Sequence, residues 1–267
     1  MPLVVCATPI GNLEDITLRV LDELRSADVI LCEDTRHTRG LLERHDIPAR
    51  KLVSYHEHNE AKRTAELLPR LEAGERMALV TDAGMPAISD PGARLVEGAL
   101  ERGVPVTVLP GATAVETALV ASGFPAERYQ FVGFLPRGAR ALASLWEELS
   151  DWAHPVVAFE SPQRLPATLR SLAESQPQRS VAVCRELTKK FEEVVRGSAA
   201  ELADRFSTPP KGEITLVLGP GGKEPDVDAA LGAVAELVAA GVPRRSAADV
   251  VARLTGASRN ELYRRTL

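Results

Sequence analysis

The chain is 267 residues long, 45% hydrophobic and 26% charged, with a formal net charge of −5. This is the balance of a soluble globular protein with room for one large domain or two smaller ones. The acidic total argues against indiscriminate wrapping of nucleic acid while leaving room for a local basic face. No apolar run approaches the ~18 residues of a membrane span. "MPLVVCATP" enters an apolar strand without a charged leader, so no secretory signal is expected. Cys6, Cys32 and Cys184 stand far apart, with no C-x-x-C spacing. They read as buried thiols of a reducing cytoplasm, not as a disulfide frame or a metal site.

Strands and helices alternate through the first part of the chain. "LVVCATP" reads as a buried strand, "ITLRVLDELRSA" as a helix with Leu18, Leu21 and Leu24 at helical spacing, and "DVILCED" as a second strand. "HTRGLLERHDI" is a helix, "KLVSYH" a third strand, "KRTAELLPRLEAG" a helix stopped by Gly74, and "RMALVTD" a fourth strand. "GARLVEGALERG", "PVTVLPG" and "AVETALVASG" continue as helix, strand and helix. Apolar strands separated by helices of this length predict a parallel sheet with helices on its faces.

After Gly123 the pattern changes. "YQFVGFLP", "PVVAFES", "SVAVCREL", "FEEVVRGS" and "EITLVLG" read as strands, with helices at "ALASLWEELSDWA", "RLPATLRSLAES" and "AAELADRF". Two strands in succession without a helix between them predict a mixed sheet. From Asp226 the composition shifts to Ala, Val, Leu and Arg. That stretch predicts three short helices, with Ser246 and Ser258 as N-caps and Gly241 and Gly256 as stops. The expected architecture is α/β. A domain over residues 1–114 is built mainly on a parallel sheet, a second α/β domain over 115–225 on a mixed sheet, and a small helical tail covers 226–267.

Ligands of open parallel sheets sit beyond the carboxyl ends of the strands. Three of those ends are rich in turn residues: "TPIGN" at 8–12, "TDAGMPAISDPG" at 81–92 and "LPGATA" at 109–114. Gly11, Gly84 and Gly111 allow positive φ and put no side chain between backbone and ligand. Each loop alone could be a tight β-to-α turn; three at one edge suggest a site. None matches G-x-G-x-x-G or G-x-x-x-x-G-K-[ST], so neither a dinucleotide nor a triphosphate is the natural ligand.

Seven blocks occur in order: "PIGNLEDITLRVLDELRSADVILCEDTRHT", "VTDAGMPAISDPG", "VLPGATA", "GFLPR", "FESPQRL", "CRELTKKFEE" and "KGEITLVL". They resemble the bacterial ribosomal RNA small-subunit methyltransferase I family, a branch of the S-adenosylmethionine-dependent tetrapyrrole methylases. The likeness covers about residues 3–220 and an Arg-bearing tail, with Cys32 departing from the small residue more familiar before Glu33-Asp34. It implies two α/β domains with S-adenosylmethionine in the cleft between them, and a homodimer. Carried over by motif, Pro9, Gly11, Asp82, Ala83, Gly84, Pro86, Pro110, Gly111 and Thr113 meet the cofactor. Phe134, Glu186, Leu187 and Gly212 close the pocket. Ser89-Asp90-Pro91-Gly92 is expected to cap the following helix, with Asp90 as the cap.

The resemblance implies 2′-O-methylation of a cytidine ribose in the decoding region of 16S RNA, cytidine 1402, with the small ribosomal subunit as partner. A hydroxyl is a poor nucleophile at neutral pH, so the protein must align it and help remove its proton. Glu33, Asp34, Glu186 and Glu160 are candidate bases. Lys189 is either a base, if burial depresses its pKa, or a cation that steadies the developing alkoxide.

Between Arg36 and Lys51 five Lys or Arg face two Asp or Glu, and "SYHEHNEAKR" adds Tyr55, His56 and His58. Basic side chains with Tyr and His suit a phosphate track with base stacking, so Arg36, His37, Arg39, His56 and His58 are RNA-contact candidates. The tail from Pro243 to Leu267 holds six arginines against two acids and resembles a helix-turn-helix. Arg244 and Arg245 are its RNA-docking candidates. Two other readings stand beside this one: a methylase of tetrapyrrole precursors, which predicts an apolar, aromatic-lined bowl, and a non-catalytic S-adenosylmethionine-binding assembly factor.

Overall fold

The computed structural model describes residues 2–48, 51–222 and 227–267. The first five strands are β1 Leu3–Cys6, β2 Val29–Cys32, β3 Leu52–Ser54, β4 Met77–Leu79 and β5 Val106–Leu109. All pair in parallel, in the order β3-β2-β4-β1-β5. Between them run α1 Leu18–Ser26, α2 Thr35–Arg44, α3 Glu60–Glu72 and α4 Ala93–Glu101. Alternation along each strand explains its unbroken apolar run. Leu3, Val5, Leu31 and Leu79 pack with Leu67 and Leu71 of α3 and Leu95 of α4. Their sequence neighbours Val4, Cys6, Ile30 and Ala78 pack with Val20 and Leu24 of α1 and Leu42 of α2. A sheet covered on both faces needs apolar side chains at every position.

The chain then forms α5 Ala114–Ser122, β6 Gln130–Phe134, α6 Ala139–Glu148, β7 Val156–Glu160, α7 Leu165–Ser175 and β8 Ser180–Arg185. β9 Glu193–Ser198, α8 Ala199–Arg205 and β10 Ile214–Leu218 follow. The second sheet has the order β6-β7-β10-β8-β9, with β6 and β7 parallel and the other pairs antiparallel. The last strand inserts at its centre, which is why "ITLVL" is buried throughout. Val115, Ala118 and Leu119 of α5 pack on Val157, Ala182, Cys184 and Val217 of this sheet, joined by Ile10 from the loop after β1. Both sheets thus lie in one compact unit, Met1–Glu147 with His154–Pro220.

Glu148–Ala153 and Gly221–Leu267 make the second unit. Its helices are α9 Val227–Ala239, α10 Arg244–Thr255 and α11 Arg259–Arg265. They close on a small core of Ala230, Val234, Ala247, Val251 and Leu262. Ser258 caps α11 as predicted, accepting from the Glu261 amide, and Gly256 ends α10 in the left-handed region. Ser246 does not cap α10. Pro243 takes that place, its carbonyl accepting from the Ala247 amide at 3.0 Å, so Ser246 falls within the first turn. The α2 helix starts at Thr35, ahead of the predicted His37, because the Asp34 carboxylate accepts from the Arg36 amide and supplies an N-cap. The expected boundary at 225/226 lies outside the described residues.

Candidate active site

β1 lies between β4 and β5, so the loops leaving these three strands emerge side by side. They are stitched together. The Thr8 amide donates to the Gly84 carbonyl at 2.8 Å, the Gly84 amide returns to the Thr8 carbonyl at 3.1 Å, and Thr8 Oγ1 donates to the Thr81 carbonyl at 3.0 Å. Gly84 holds φ +82, a region an L side chain enters only with strain. A Cβ on Gly111 would stand 2.8 Å from that of Ala7, so only glycine lets the third loop close on the first. The loop after β8 reaches the same place: the Asn12 amide donates to Thr188 Oγ1 at 3.0 Å, and Gly11 abuts Thr188 and Lys189.

These loops border a cavity of about 900 Å³, within the range of small-molecule sites. The parallel sheet contributes loop residues, among them Ala83, Gly84, Ser89, Asp90 and Thr113; the second sheet contributes Phe131, Phe134 and Phe159, and the segments flanking it Tyr129 and Leu187. Phe131 and Phe134 meet Phe159 edge-on, with centroids 5.0 and 5.4 Å away. Among the residues expected to touch the cofactor, Ala83, Gly84, Thr113, Phe134, Leu187 and Gly212 line this cavity. Pro9, Gly11, Asp82, Pro86, Pro110 and Gly111 are not lining residues; they belong to the loops that frame it. Ala87, Ser89, Glu186 and Thr188 all hold positive φ. Strain of this kind gathers at ligand clamps.

None of the four leading catalytic candidates lines the cavity. Asp34 is held to about 2 by its hydrogen bonds to Arg36, whose Nη2 is 2.8 Å away. The Glu213 amide and Lys189 keep the Glu186 carboxyl below its usual range. Burial pulls the Lys189 ammonium down, but Glu213 at 2.8 Å and Glu186 at 3.0 Å outweigh it and raise its pKa. Lys189 is therefore a cation, and the alternative of a burial-depressed base is corrected. Glu33 accepts from Thr81 Oγ1 at 3.2 Å. Glu160 does line the cavity, yet its carboxylate is 0% exposed and fully engaged. It accepts from Thr168 Oγ1 at 2.6 Å and the Ser161 amide at 2.7 Å, with Arg164 3.3 Å away.

Sequence reasoning missed Asp90. It was expected to cap α4, but the residue at that helix start is Gly92, with no side-chain cap. The Ala87 amide bonds back to the Pro91 carbonyl, folding the loop on itself. Asp90 instead lines the cavity beside the Thr81 hydroxyl. Burial first, then the charges of Glu33 and Asp82, lift its pKa to about 6 against the lowering bond from Thr81. A second miss was the aromatic wall beyond Phe134: Tyr129, Phe131 and Phe159. Phe131 lies in β6 and Tyr129 stands just before it, and that spacing of two in "YQFVGF" was a usable signal.

Arg36, with 88% of its side chain exposed, His37 and Arg39 stand on the outer side of α2, and His58 is also exposed. His56 is half-buried and its Nε2 bonds Asn59 at 3.0 Å. In the second unit Arg245 is exposed and Arg244 half-buried. Cys6 and Cys184 are buried and pushed up to about 12 by that burial, so they are inert thiols. No helix among the described residues is long and apolar enough to cross a membrane.

Residues 2–203 match the family model for tetrapyrrole (corrin/porphyrin) methylases, and residues 224–267 match that for the RsmI C-terminal HTH domain. The chain is 42% identical to the ribosomal RNA small subunit methyltransferase I of Mesorhizobium japonicum, over 99% of this chain and 91% of that protein. It is 47% identical to the protein of that name from Thermotoga maritima, over 83% of this chain and 99% of the other. Among solved structures it resembles the uroporphyrin-III C-methyltransferase of Thermus thermophilus complexed with S-adenyl homocysteine. The TM-score is 0.55 and the identity 20%, over 82% of this chain and 97% of that one, a likeness of fold. The chain belongs to the tetrapyrrole methylase family, in its ribosomal RNA small subunit methyltransferase I branch.

Proposed function

We propose that the cavity holds S-adenosylmethionine and that the protein transfers its methyl group to the ribose 2′-hydroxyl of a cytidine in the decoding region of 16S RNA. The observation that carries this reading is the cavity's two-sided make-up: turn-rich loops along one wall, phenylalanines along the other. Main-chain groups of Ala83 and Gly212 and the Thr113 N–H would hold the donor's polar parts, Gly84 would let the chain pass close to it, and the faces of Phe131, Phe134 and Phe159 suit an adenine. The donor supplies a methyl group that is already electrophilic on its sulfonium. This chain's task is to orient the acceptor hydroxyl, exclude water and receive a proton. Relatives named for the ribosomal small subunit, at 42% and 47% identity, support RNA as acceptor.

Arg36, His37, Arg39, His56 and His58 would lie along the incoming RNA, and Arg244 and Arg245 of the helical tail would also grip RNA. In the same reading residues 1–114 cradle the donor, 115–225 cover it and 226–267 dock the ribosome, in a cytoplasmic homodimer. The four aromatics of the cavity are what a tetrapyrrole methylase would also show, and the fold neighbour supports that second reading at 20% identity. Tritiated methyl donor, supplied with small subunits lacking the modification and separately with a porphyrinogen, decides the matter. Label in cytidine ribose is expected. Label in the porphyrinogen alone would overturn the assignment, and no transfer at all would favour a donor-binding assembly factor.

A further inference from the structure

Four carboxylates line the cavity: Asp90, Glu116, Glu160 and Glu213. Three are engaged. Glu160 is locked by Thr168, Ser161 and Arg164, Glu213 pairs with Lys189 at 2.8 Å, and Glu116 accepts from Tyr129 Oη at 2.8 Å. Asp90 makes no ion pair among the described residues. Behind it stands Thr81, only 3% exposed, with its hydroxyl donating to Glu33 at 3.2 Å and near enough to Asp90 to act against the rise in its pKa. Asp82 faces the group from the same loop, and its Oδ1 accepts from the Asp34 amide at 3.1 Å.

One hydroxyl carries one proton. When Thr81 gives it to Glu33, Asp90 meets a lone pair and is best satisfied carrying a proton of its own. When Asp90 is ionised, the hydroxyl turns to it. A hydroxyl able to turn between Glu33 and Asp90 would give Asp90 two satisfied states, one with and one without a proton, at the wall of the cavity. A general base needs that property, and it works best with a pKa close to the operating pH.

We propose that Asp90 is the group that takes the proton from the acceptor hydroxyl, with Thr81 and Glu33 as the positioning pair behind it. This rests on the ribose-methylating reading above. The ribose oxygen forms a bond to the donor's methyl carbon, and the carbon–sulfur bond breaks with its electron pair left on sulfur. The hydroxyl proton passes to an Asp90 carboxylate oxygen and is later lost to solvent. The interactions that lift the Asp90 pKa to about 6 leave it ionised, yet still an effective acceptor, at neutral pH.

The test uses the full chain, small subunits lacking the modification, and two readouts: single-turnover methyl transfer from pH 5 to 8, and donor affinity by calorimetry. The wild-type rate should rise with pH along one limb near 6. Asp90→Asn should lose roughly 10²–10⁴-fold in transfer and the limb itself, with donor affinity within about threefold of wild type. Glu33→Gln removes a like charge and should move the limb to lower pH, which a merely structural Glu33 would not do. Should Asp90→Asn fail to fold, Asp90→Glu, keeping a carboxylate and the limb with reduced transfer, and Glu33→Gln carry the test. An Asp90→Asn enzyme as fast as wild type, or one whose donor affinity falls as far as its rate, would overturn the proposal, as would a limb that ignores Glu33→Gln. A wild type that never labels ribose overturns the underlying reading and this proposal together; the other failures sink the proposal alone.

Discussion

Asp90 weakens the fold it belongs to. Its pKa is raised in the folded protein, to about 6 from 3.8, so between those values the native state binds a proton that the unfolded chain has released. The stabilisation is complete below the unfolded value and is lost as the pH climbs through the folded one. Asp90→Asn should therefore flatten the stability profile between about pH 4 and 6. It should leave the protein roughly 1–2 kcal/mol more stable at pH 7, discounted for the group's partial exposure. Denaturant titrations at pH 4 and pH 7 check this; a variant less stable than wild type at pH 7 would contradict it. Gain in stability with loss of turnover is the exchange expected of a strained functional position. Gly84 presents the converse case: at φ +82, with Ile10 Cγ2 3.6 Å from an added Cβ, Gly84→Ala has room but the wrong backbone. It should cost about 1–2 kcal/mol.

At the scale of elements, the strands and helices of both sheets were legible because hydrophobic period and turn residues agree along the whole first unit. "LVVC", "VILC" and "MAL" sit where their apolar runs place them. What failed was local and polar. Ser246 looks like a cap, but Pro243 opens α10 three residues earlier; Asp90 looks like a cap, but its loop closes on itself through the Ala87 amide and the Pro91 carbonyl, leaving Asp90 on the cavity wall. Caps and loop carboxylates answer to tertiary neighbours that no short stretch of sequence names. The connection from β6 shows the same dependence. Arg164 Nη2 donates to the carbonyls of Leu135 at 3.0 Å and Pro136 at 2.6 Å while facing the buried Glu160 carboxylate. Arg164→Ala would leave that charge without its partner and those carbonyls without a donor, and should cost about 3–5 kcal/mol. A shift in the denaturation midpoint corresponding to less than 1 kcal/mol would show that the lock is not structural.

Over the whole molecule, charge is unevenly spread. A chain of net charge −5 ends in a segment, from Pro243, with six arginines and two acids. Some of those arginines are paired within their own unit, Arg265 with Asp228 and Glu261, Arg259 with Asp249, whereas Arg245 and Arg253 remain on its surface. If this unit docks on RNA, Arg245→Gln with Arg253→Gln should weaken small-subunit binding and make the affinity less steeply salt-dependent. The slope should fall by roughly 0.7–0.9 for each phosphate no longer neutralised. Donor affinity should not change, and an unchanged salt slope would place the docking surface elsewhere. Narrower than docking is the proposal that the cavity between the turn-rich loops and the phenylalanine wall holds the methyl donor. Calorimetric titration of S-adenosylmethionine tests it most directly, with wild type and with Ala83→Trp, an exposed lining position where an indole would obstruct the space without disturbing the core. One donor per chain is expected for wild type and at least tenfold weaker binding for a folded Ala83→Trp; equal affinity in both, or no binding by native wild type, would rule that site out.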